Sequence, residues 1–127
     1  MEFVKQAARK VFSTLGAGFS ERVYHNAMMV LLIRQKIPFK SEHVIPVMFE
    51  EDKVGEVRAD LIVNDDLVVE LKSVKAIMDT HITQCSMYMK LTGIKNGIVI
   101  NFPCSEKEEV GFQELGNTPS CCNKCGR

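Results

Sequence analysis

The amino-acid sequence predicts an α/β domain with a mixed central sheet of about four strands flanked by helices. Two observations support this class: apolar residues recur at helical spacing in three segments, and short β-branched or alternating apolar runs lie between and after them. The length of 127 residues suits one domain, and a hydrophobic fraction of 46% is enough for a core without disulfides or a structural metal.

Three segments have helical periodicity. Residues 2–15 carry apolar side chains at i, i+3 and i+4, and Gly16 ends this helix. Residues 20–36 form the most apolar helix, which stops before Pro38. Residues 79–91 form the third predicted helix. The segments between and after these helices then belong to turns and strands.

Four runs are typical of strands, at residues 39–49, 56–63, 67–74 and 97–102. A charged turn over residues 50–55 separates the first two, and a three-residue turn separates the second from the third. The last run, GIVINF, is typical of a central strand. Composition changes after residue 102, so we expect residues 1–102 to form the domain and residues 103–127 a peripheral or loosely ordered tail rich in cysteine.

The charges cancel overall but are unevenly distributed. Residues 1–40 carry a net charge of +5, residues 41–70 of −7 and residues 71–127 of +2. An acidic centre between basic flanks suits a metal site beside a polyanion, and it equally suits a solvated hairpin. No apolar run exceeds seven residues, which predicts no membrane span, and charges in the first six residues disfavour a secretory signal. We therefore expect an intracellular, cytoplasmic protein.

The five cysteines do not resemble a disulfide framework. Cys85 and Cys104 are expected to be buried, reduced thiols. Cys122 and Cys125, with Cys121 beside them, have the spacing of half a zinc site, and a frayed thiol-rich tail is the alternative.

The stretch around the second turn carries the most specific chemistry. If residues 64–66 form the turn, Val63 faces Leu67, and Asp60 then lies opposite Glu70 with Lys72 on the same face. Opposed like charges about 5 Å apart destabilise a sheet unless something neutralises them. A divalent cation such as Mg²⁺ or Mn²⁺ would do so, because it prefers hard oxygen ligands.

Lys72 fits the same chemistry, since an ammonium beside a metal can position water and stabilise charge on a phosphate. The three side chains therefore favour metal-assisted phosphodiester hydrolysis. The alternative is that Asp60 and Glu70 are exposed strand residues paired with Arg58 and Lys72.

The order of Asp60 followed by Glu70-x-Lys72 resembles the signature of the PD-(D/E)xK, or restriction-endonuclease-like, nuclease superfamily. The segment Gly18-Phe19-Ser20-Glu21-Arg22-Val23-Tyr24 resembles the GxxExxY motif of one family within it, and Gln84-Cys85-Ser86-Met87-Tyr88 resembles the QxxxY helix of its RecB-like nucleases. The likeness spans about residues 3–102, with the motifs in the expected order.

This resemblance implies a restriction-endonuclease-like core and Mg²⁺- or Mn²⁺-dependent cleavage of nucleic acid, with DNA as the expected substrate. Asp60, Glu70 and Glu21 would be catalytic acids and metal ligands, the Leu71 carbonyl an additional ligand, and Lys72 the catalytic lysine. Glu21 has a simpler interpretation, which is that its charge complements the positive end of its helix.

The resemblance also implies a substrate side of the site. Gln84 and Tyr88, one helical turn apart, would bind the substrate phosphate or orient Lys72, and Tyr24 would brace the site. Tyr24 could instead be only a packed aromatic residue, and His81 a solvated surface residue.

Two other functions remain open from sequence. One is a catalytically silent nucleic-acid-binding or regulatory module that keeps the nuclease fold, and the other is a zinc-binding interaction protein built on the cysteine tail. A single domain of this size could act as a homodimer, and the methionine-rich second helix is the first surface to consider.

Overall fold

The computed structural model describes residues 1–116, which form three helices and five strands. Their order is α1 (Glu2–Leu15), α2 (Glu21–Arg34), β1 (Phe39–Phe49), β2 (Asp52–Val63), β3 (Leu67–Lys72), α3 (Asp79–Thr92), β4 (Asn96–Asn101) and β5 (Gly111–Gly116). All three predicted helices and all four predicted strands are present. No helix within residues 1–116 has both the length and the apolar character that crossing a bilayer requires.

The strands form one mixed sheet in the order β1-β2-β3-β4-β5. β3 and β4 are parallel, because α3 carries the chain back between them, and the other neighbours are antiparallel. β5 makes the sheet one strand larger than the approximately four expected. It lies at an edge and pairs with β4 from Asn101↔Gly111 to Asn96↔Gly116. The sheet therefore continues past residue 102, and a domain boundary there stays a prediction.

The cysteine tail cannot be compared with its prediction. Cys121, Cys122 and Cys125 lie outside the described residues, so the zinc hypothesis stays a prediction. Of the other two cysteines, Cys85 is buried as expected, whereas the expectation that Cys104 is buried is wrong, because it lies exposed in the loop after β4.

The two faces of the sheet pack against different helices. One face contributes Leu61, Leu67, Val69 and Leu71 to a core that includes α1 and α2. The opposite face contributes Ile62, Val68 and Val99 to a second core around Cys85 and Tyr88 of α3. Alternating burial on both faces fixes the register of the central strands, because a slip of one residue would exchange the two faces.

β1 and β2 form a long ribbon that is paired with β3 only at its base. They pair from Phe39↔Val63 to Phe49↔Asp52, so a two-residue turn at Glu50 and Glu51 replaces the six-residue turn expected. Glu50 has a φ of 59°, in the left-handed region that tight hairpin turns use. β2 pairs with β3 over Leu61–Val63 alone, and the backbone pairing of the two strands stops before Asp60.

Candidate active site

The predicted register places Asp60 and Glu70 side by side where β2 and β3 separate. Val63 pairs with Leu67, as the three-residue turn predicts, and the backbone pairing ends at Leu61↔Val69. Beyond that pair, side chains replace the backbone ladder. The Asp60 N–H donates to Glu70 Oε1 at 3.2 Å, and the Leu71 N–H donates to Asp60 Oδ2 at 2.8 Å. Each acid therefore has a hydrogen bond from the opposite strand that fixes its carboxylate in the gap.

The strand is irregular at Asp60. Ala59 and Ile62 are three residues apart, yet both belong to the core on the α3 face, so strict alternation is broken between them. On the neighbouring strand, Glu42 lies between the pairs Ser41↔Leu61 and His43↔Ala59 and has a φ of 51°. A positive φ at a non-glycine residue is strained and is often found beside functional sites. This irregularity lets the Asp60 carboxylate reach the β3 backbone.

Burial makes both acids hard to ionise. Glu70 is only 2% exposed, and burial, followed by the charge of Asp60, raises its pKa to about 8. Burial likewise raises the pKa of Asp60. Lys72 opposes these effects from a distance of 4.0 Å between its Nζ and Glu70 Oε2, which is an ion pair but too long for a strong hydrogen bond. One lysine thus faces two carboxylates, and a further cation would be favourable.

The backbone of β3 adds an oxygen to the same place. The N–H and C=O of one strand residue point to the same side, so the Leu71 carbonyl faces β2 as its N–H does. The Lys72 carbonyl points the other way and accepts the Phe102 N–H at 2.8 Å. Two carboxylates and one carbonyl are hard oxygen donors, and this set fits a divalent cation such as Mg²⁺ or Mn²⁺.

Glu21 lies at the start of α2, beside this pair rather than within it. Its Oε2 accepts the Ser73 N–H at 3.2 Å, just after the end of β3. Its charge contributes to raising the pKa of both Asp60 and Glu70, which requires proximity. Among residues 1–116 no three His, Cys, Asp or Glu side chains are grouped closely enough to hold a metal by themselves. The described site is therefore an acid pair with a carbonyl, and Glu21 flanks it.

α3 covers the site with a hydrogen-bonded pair. Gln84 Nε2 donates to the Tyr88 hydroxyl at 3.0 Å, as expected for residues one turn apart. Tyr88 is almost fully buried, and burial, followed by the charge of Glu70, raises its pKa to about 12, so its hydroxyl stays protonated. His81 is not simply solvated, because its Nδ1 accepts the Met78 N–H at 3.0 Å and caps the helix.

Tyr24 braces the core and presents no surface to a substrate. Its side chain is fully buried, its ring stacks on Phe102 with centroids 4.4 Å apart, and its hydroxyl donates to the Gly16 carbonyl at 2.6 Å. These contacts tie the α1–α2 turn to the end of β4. The geometry thus matches bracing, and it offers no exposed atom of Tyr24 for a substrate contact.

Two residues that the motifs did not indicate also fix this region. Asn101 pairs with both backbone groups of Val74, as its Oδ1 accepts the Val74 N–H and its Nδ2 donates to the Val74 carbonyl, each at 2.8 Å. This side chain holds the chain two residues after Lys72. His25 is buried on α2 with its Nε2 2.9 Å from Ser41 Oγ. The sequence offered one signal for Asn101, which is a polar residue at the end of a buried strand. Its partner, Val74, could not be predicted, because the contact depends on the parallel pairing of β3 with β4.

This fold, with an Asp and a Glu-x-Lys on adjacent strands, is the arrangement that the PD-(D/E)xK signature predicts. The family model of the PD-(D/E)XK nuclease superfamily matches residues 1–113, so the chain belongs to this superfamily and has its restriction-endonuclease-like fold. No curated protein sequence matches the chain significantly.

Two solved structures have a similar fold. The structure of SSO0001 superposes with a TM-score of 0.58 at 17% identity, over 75% of this chain and 48% of that one. The alkaline exonuclease LHK-Exo from Laribacter hongkongensis superposes with a TM-score of 0.51 at 11% identity, over 95% of this chain and 84% of the exonuclease. The present chain thus spans about half the length of SSO0001.

Proposed function

We propose that this chain is a divalent-metal-dependent nuclease that hydrolyses phosphodiester bonds in nucleic acid, with DNA as its substrate. The observation that carries the proposal is the pair of half-buried Asp60 and buried Glu70, with Lys72 4.0 Å from Glu70. Two adjacent carboxylates largely removed from water, with one lysine, are costly for stability alone, and such groups are typical of functional sites.

Asp60 and Glu70 would hold the metal, which is Mg²⁺ or Mn²⁺, together with the Leu71 carbonyl, and Glu21 would join from α2. The ion would supply charge for the phosphate oxygens and lower the pKa of bound water. The crossed hydrogen bonds from the Asp60 and Leu71 N–H groups would hold both carboxylates in place before the ion arrives.

Lys72 would act on the substrate rather than hold the metal. Its ammonium is largely covered and lies on the same face as both acids, so it can orient an attacking water and stabilise negative charge that develops on the phosphate. The backbone that follows it is fixed, because its carbonyl accepts the Phe102 N–H and Asn101 pairs with Val74. A fixed backbone keeps the lysine in a narrow range of positions.

Gln84 would serve the substrate side, with the almost fully buried Tyr88 holding its amide in place, and exposed basic residues would contact phosphates. The candidates are the exposed Lys75, Lys90 and Lys95. The basic residues of α1 suit this role less well, because Lys5 and Arg9 are paired with Glu114 and Glu2, and α1 packs on the opposite face of the sheet. Because the net charge of the chain is zero, a polyanion would be attracted by local groups of basic residues rather than by the charge of the whole protein.

We further propose that the chain is a GxxExxY-type member of the superfamily. Gly18 has a φ of 104°, which favours glycine, Glu21 bonds the Ser73 N–H, and Tyr24 bonds the Gly16 carbonyl. Each named position of the motif therefore has its own structural role, at the α1–α2 turn for Gly18 and Tyr24 and at the end of β3 for Glu21.

Manganese titration calorimetry tests the metal site. Asp60→Asn and Glu70→Gln keep the shape of each side chain, and each should weaken Mn²⁺ binding at least about tenfold, because one charged ligand is lost. Asp66→Asn, which changes an exposed acid in the turn after β2, is the matched control and should bind as the wild type does. Equal affinity in all variants would contradict the proposed ligands.

A cleavage assay on single- and double-stranded DNA tests the chemistry. Lys72→Ala should keep Mn²⁺ binding but lose at least about 100-fold in cleavage rate, because it removes the group that stabilises the phosphate charge. Full activity in this variant would overturn the role of Lys72. Metal binding by the wild type without any cleavage would favour the alternative function, a catalytically silent nucleic-acid-binding module.

A further inference from the structure

The end of the β1–β2 ribbon has an exposed apolar surface. We call residues 48–54 the hairpin tip. It carries Met48, Phe49 and Val54, of which Phe49 is 65% and Val54 62% exposed. The tip lies about five residues, on the order of 15 Å, beyond Ile45, the last residue of β1 in the core on the α3 face. Apolar side chains on a projecting two-stranded ribbon gain nothing from exposure, and such patches mark interaction sites.

The hairpin tip is also acidic. Glu50, Glu51 and Asp52 have no ion-pair partner within residues 1–116. Lys53 does not neutralise them, because its Nζ is paired with Glu56 Oε1 at 2.5 Å. The hairpin tip therefore presents three unpaired negative charges beside its apolar side chains.

A second surface has the opposite character. We call the depression between the two N-terminal helices the α1–α2 groove, which encloses about 220 Å³, enough for one phenylalanine side chain. Its walls are apolar and include Leu15, Val30 and Leu31, while Lys10 and Arg34 lie at its rim. Neither basic residue has an ion-pair partner in the described part of the chain. The groove thus combines apolar walls with two unpaired positive charges.

We propose that the hairpin tip of one molecule docks in the α1–α2 groove of a second copy of this chain, and that the exchange is reciprocal in a closed dimer. Phe49 would enter the groove, and Glu50 and Glu51 would face Lys10 and Arg34 of the other copy. Reciprocal exchange covers both tips and both grooves, whereas one-way docking would leave a tip and a groove free and lead to open chains. This interface does not depend on the nuclease proposal.

The observations favour protein over nucleic acid as the occupant of both surfaces. The acidic tip would repel phosphates, and a phosphate in the groove would lie against aliphatic walls that offer it few polar partners. Opposite charges at the rim of an apolar contact are the usual arrangement in protein interfaces, where they set orientation.

Sedimentation equilibrium on the full chain, with a thiol reductant to exclude disulfide-linked species, tests the proposal. We expect a concentration-dependent dimer that weakens as salt rises. Glu50→Lys with Glu51→Lys should raise the dimer Kd at least about tenfold, and so should Lys10→Glu with Arg34→Glu, since each replaces attraction by repulsion. Combining all four substitutions restores opposite charges and should recover most of the affinity.

Failure of the combined variant to recover dimerisation would overturn the docking. A wild type that stays monomeric at all concentrations, or assembles into open chains, would overturn it too. Phe49→Ser adds an independent test, because it leaves every charge in place and should still weaken the dimer. If the groove variant changes DNA affinity while the oligomeric state stays constant, the groove contacts nucleic acid and the proposal is wrong. Circular dichroism confirms that each variant, altered only at the surface, remains folded.

Discussion

A single residue, Glu70, connects the stability of this protein to its chemistry. Burial and Asp60 raise its pKa from 4.5 to about 8 in the folded state. An acid with a raised pKa keeps its proton to a higher pH in the folded than in the unfolded chain. Its contribution to the free energy of unfolding is therefore fully present below pH 4.5 and is lost as the pH rises through about 8. The metal-free protein should therefore lose stability as the pH rises across that window. The raised pKa of Asp60 should act in the same direction.

Glu70→Gln removes the titrating group and keeps an oxygen that can accept the Asp60 N–H. In a chelator-containing buffer at about pH 8, we expect it to raise the free energy of unfolding by on the order of 1–3 kcal/mol and to flatten its pH dependence. Urea unfolding over a pH series measures both effects. Glu56→Gln, an exposed acid on β2, is the control. A variant as pH-dependent as the wild type would show that Glu70 does not dominate the titration.

The acid pair could be predicted from sequence because every step was local. A three-residue turn fixed Val63 opposite Leu67, and Asn64 and Asp65 indeed have a φ of 55°, a conformation that these residue types tolerate. Asn101 could not be predicted in the same way. Its two bonds to Val74 join residues 27 positions apart, and they depend on the parallel pairing of β3 with β4.

At the scale of elements, the contact between α3 and β4 depends on Gly97. A Cβ at this position would lie 2.5 Å from Met89 Sδ and 2.9 Å from Cys85 Sγ, both on α3. Gly97→Ala should displace α3 and lower the free energy of unfolding by about 1–3 kcal/mol, as overpacking does. Because Tyr88 lies on the same helix, cleavage should fall as well.

Gly55→Ala is the matched control for Gly97→Ala. It also places alanine at a strand glycine, but nothing lies within 4 Å of the added Cβ, so we expect a change within about 0.5 kcal/mol. Urea unfolding of both variants gives the comparison. Equal stability of the two would mean that the helix adjusts freely and that close packing does not position α3.

The β1–β2 turn and β5 were not predicted correctly, because their local sequence does not have the pattern that such elements usually show. Gly55 marked a broad turn, yet it lies inside β2, and the chain turns at Glu50 and Glu51 with no glycine. β5 follows a polar loop and alternates weakly, with Phe112 and Leu115 half-buried and Gln113 and Glu114 exposed. Pairing with β4 decides both its existence and its register, and that pairing is not local.

At the scale of the whole molecule, both faces of the sheet are packed by helices, and the acid pair interrupts only one of the two cores. The face towards α1 and α2 is an apolar core, and the face towards α3 carries the buried Glu70 and Tyr88 beside a second apolar core. The site therefore introduces a destabilising charge pair into an otherwise well-packed protein, which is a common cost of function. A ligand that neutralises the pair should stabilise the entire fold.

Manganese should therefore raise the thermal stability of the whole chain. A ligand that binds only the folded state stabilises it by RT ln(1 + [L]/Kd), about 2.7 kcal/mol at 100 times Kd, or roughly 5–10 °C in Tm. The shift should shrink as the pH falls below about 8, because Glu70 then holds a proton that competes with the metal. Calorimetric unfolding with and without Mn²⁺ measures it. Glu70→Gln should lose about half of the shift or more, because tenfold weaker binding leaves about 1.4 kcal/mol at the same Mn²⁺ concentration. Glu56→Gln should keep the shift, and a shift that is equal in both variants would place the metal elsewhere on the protein.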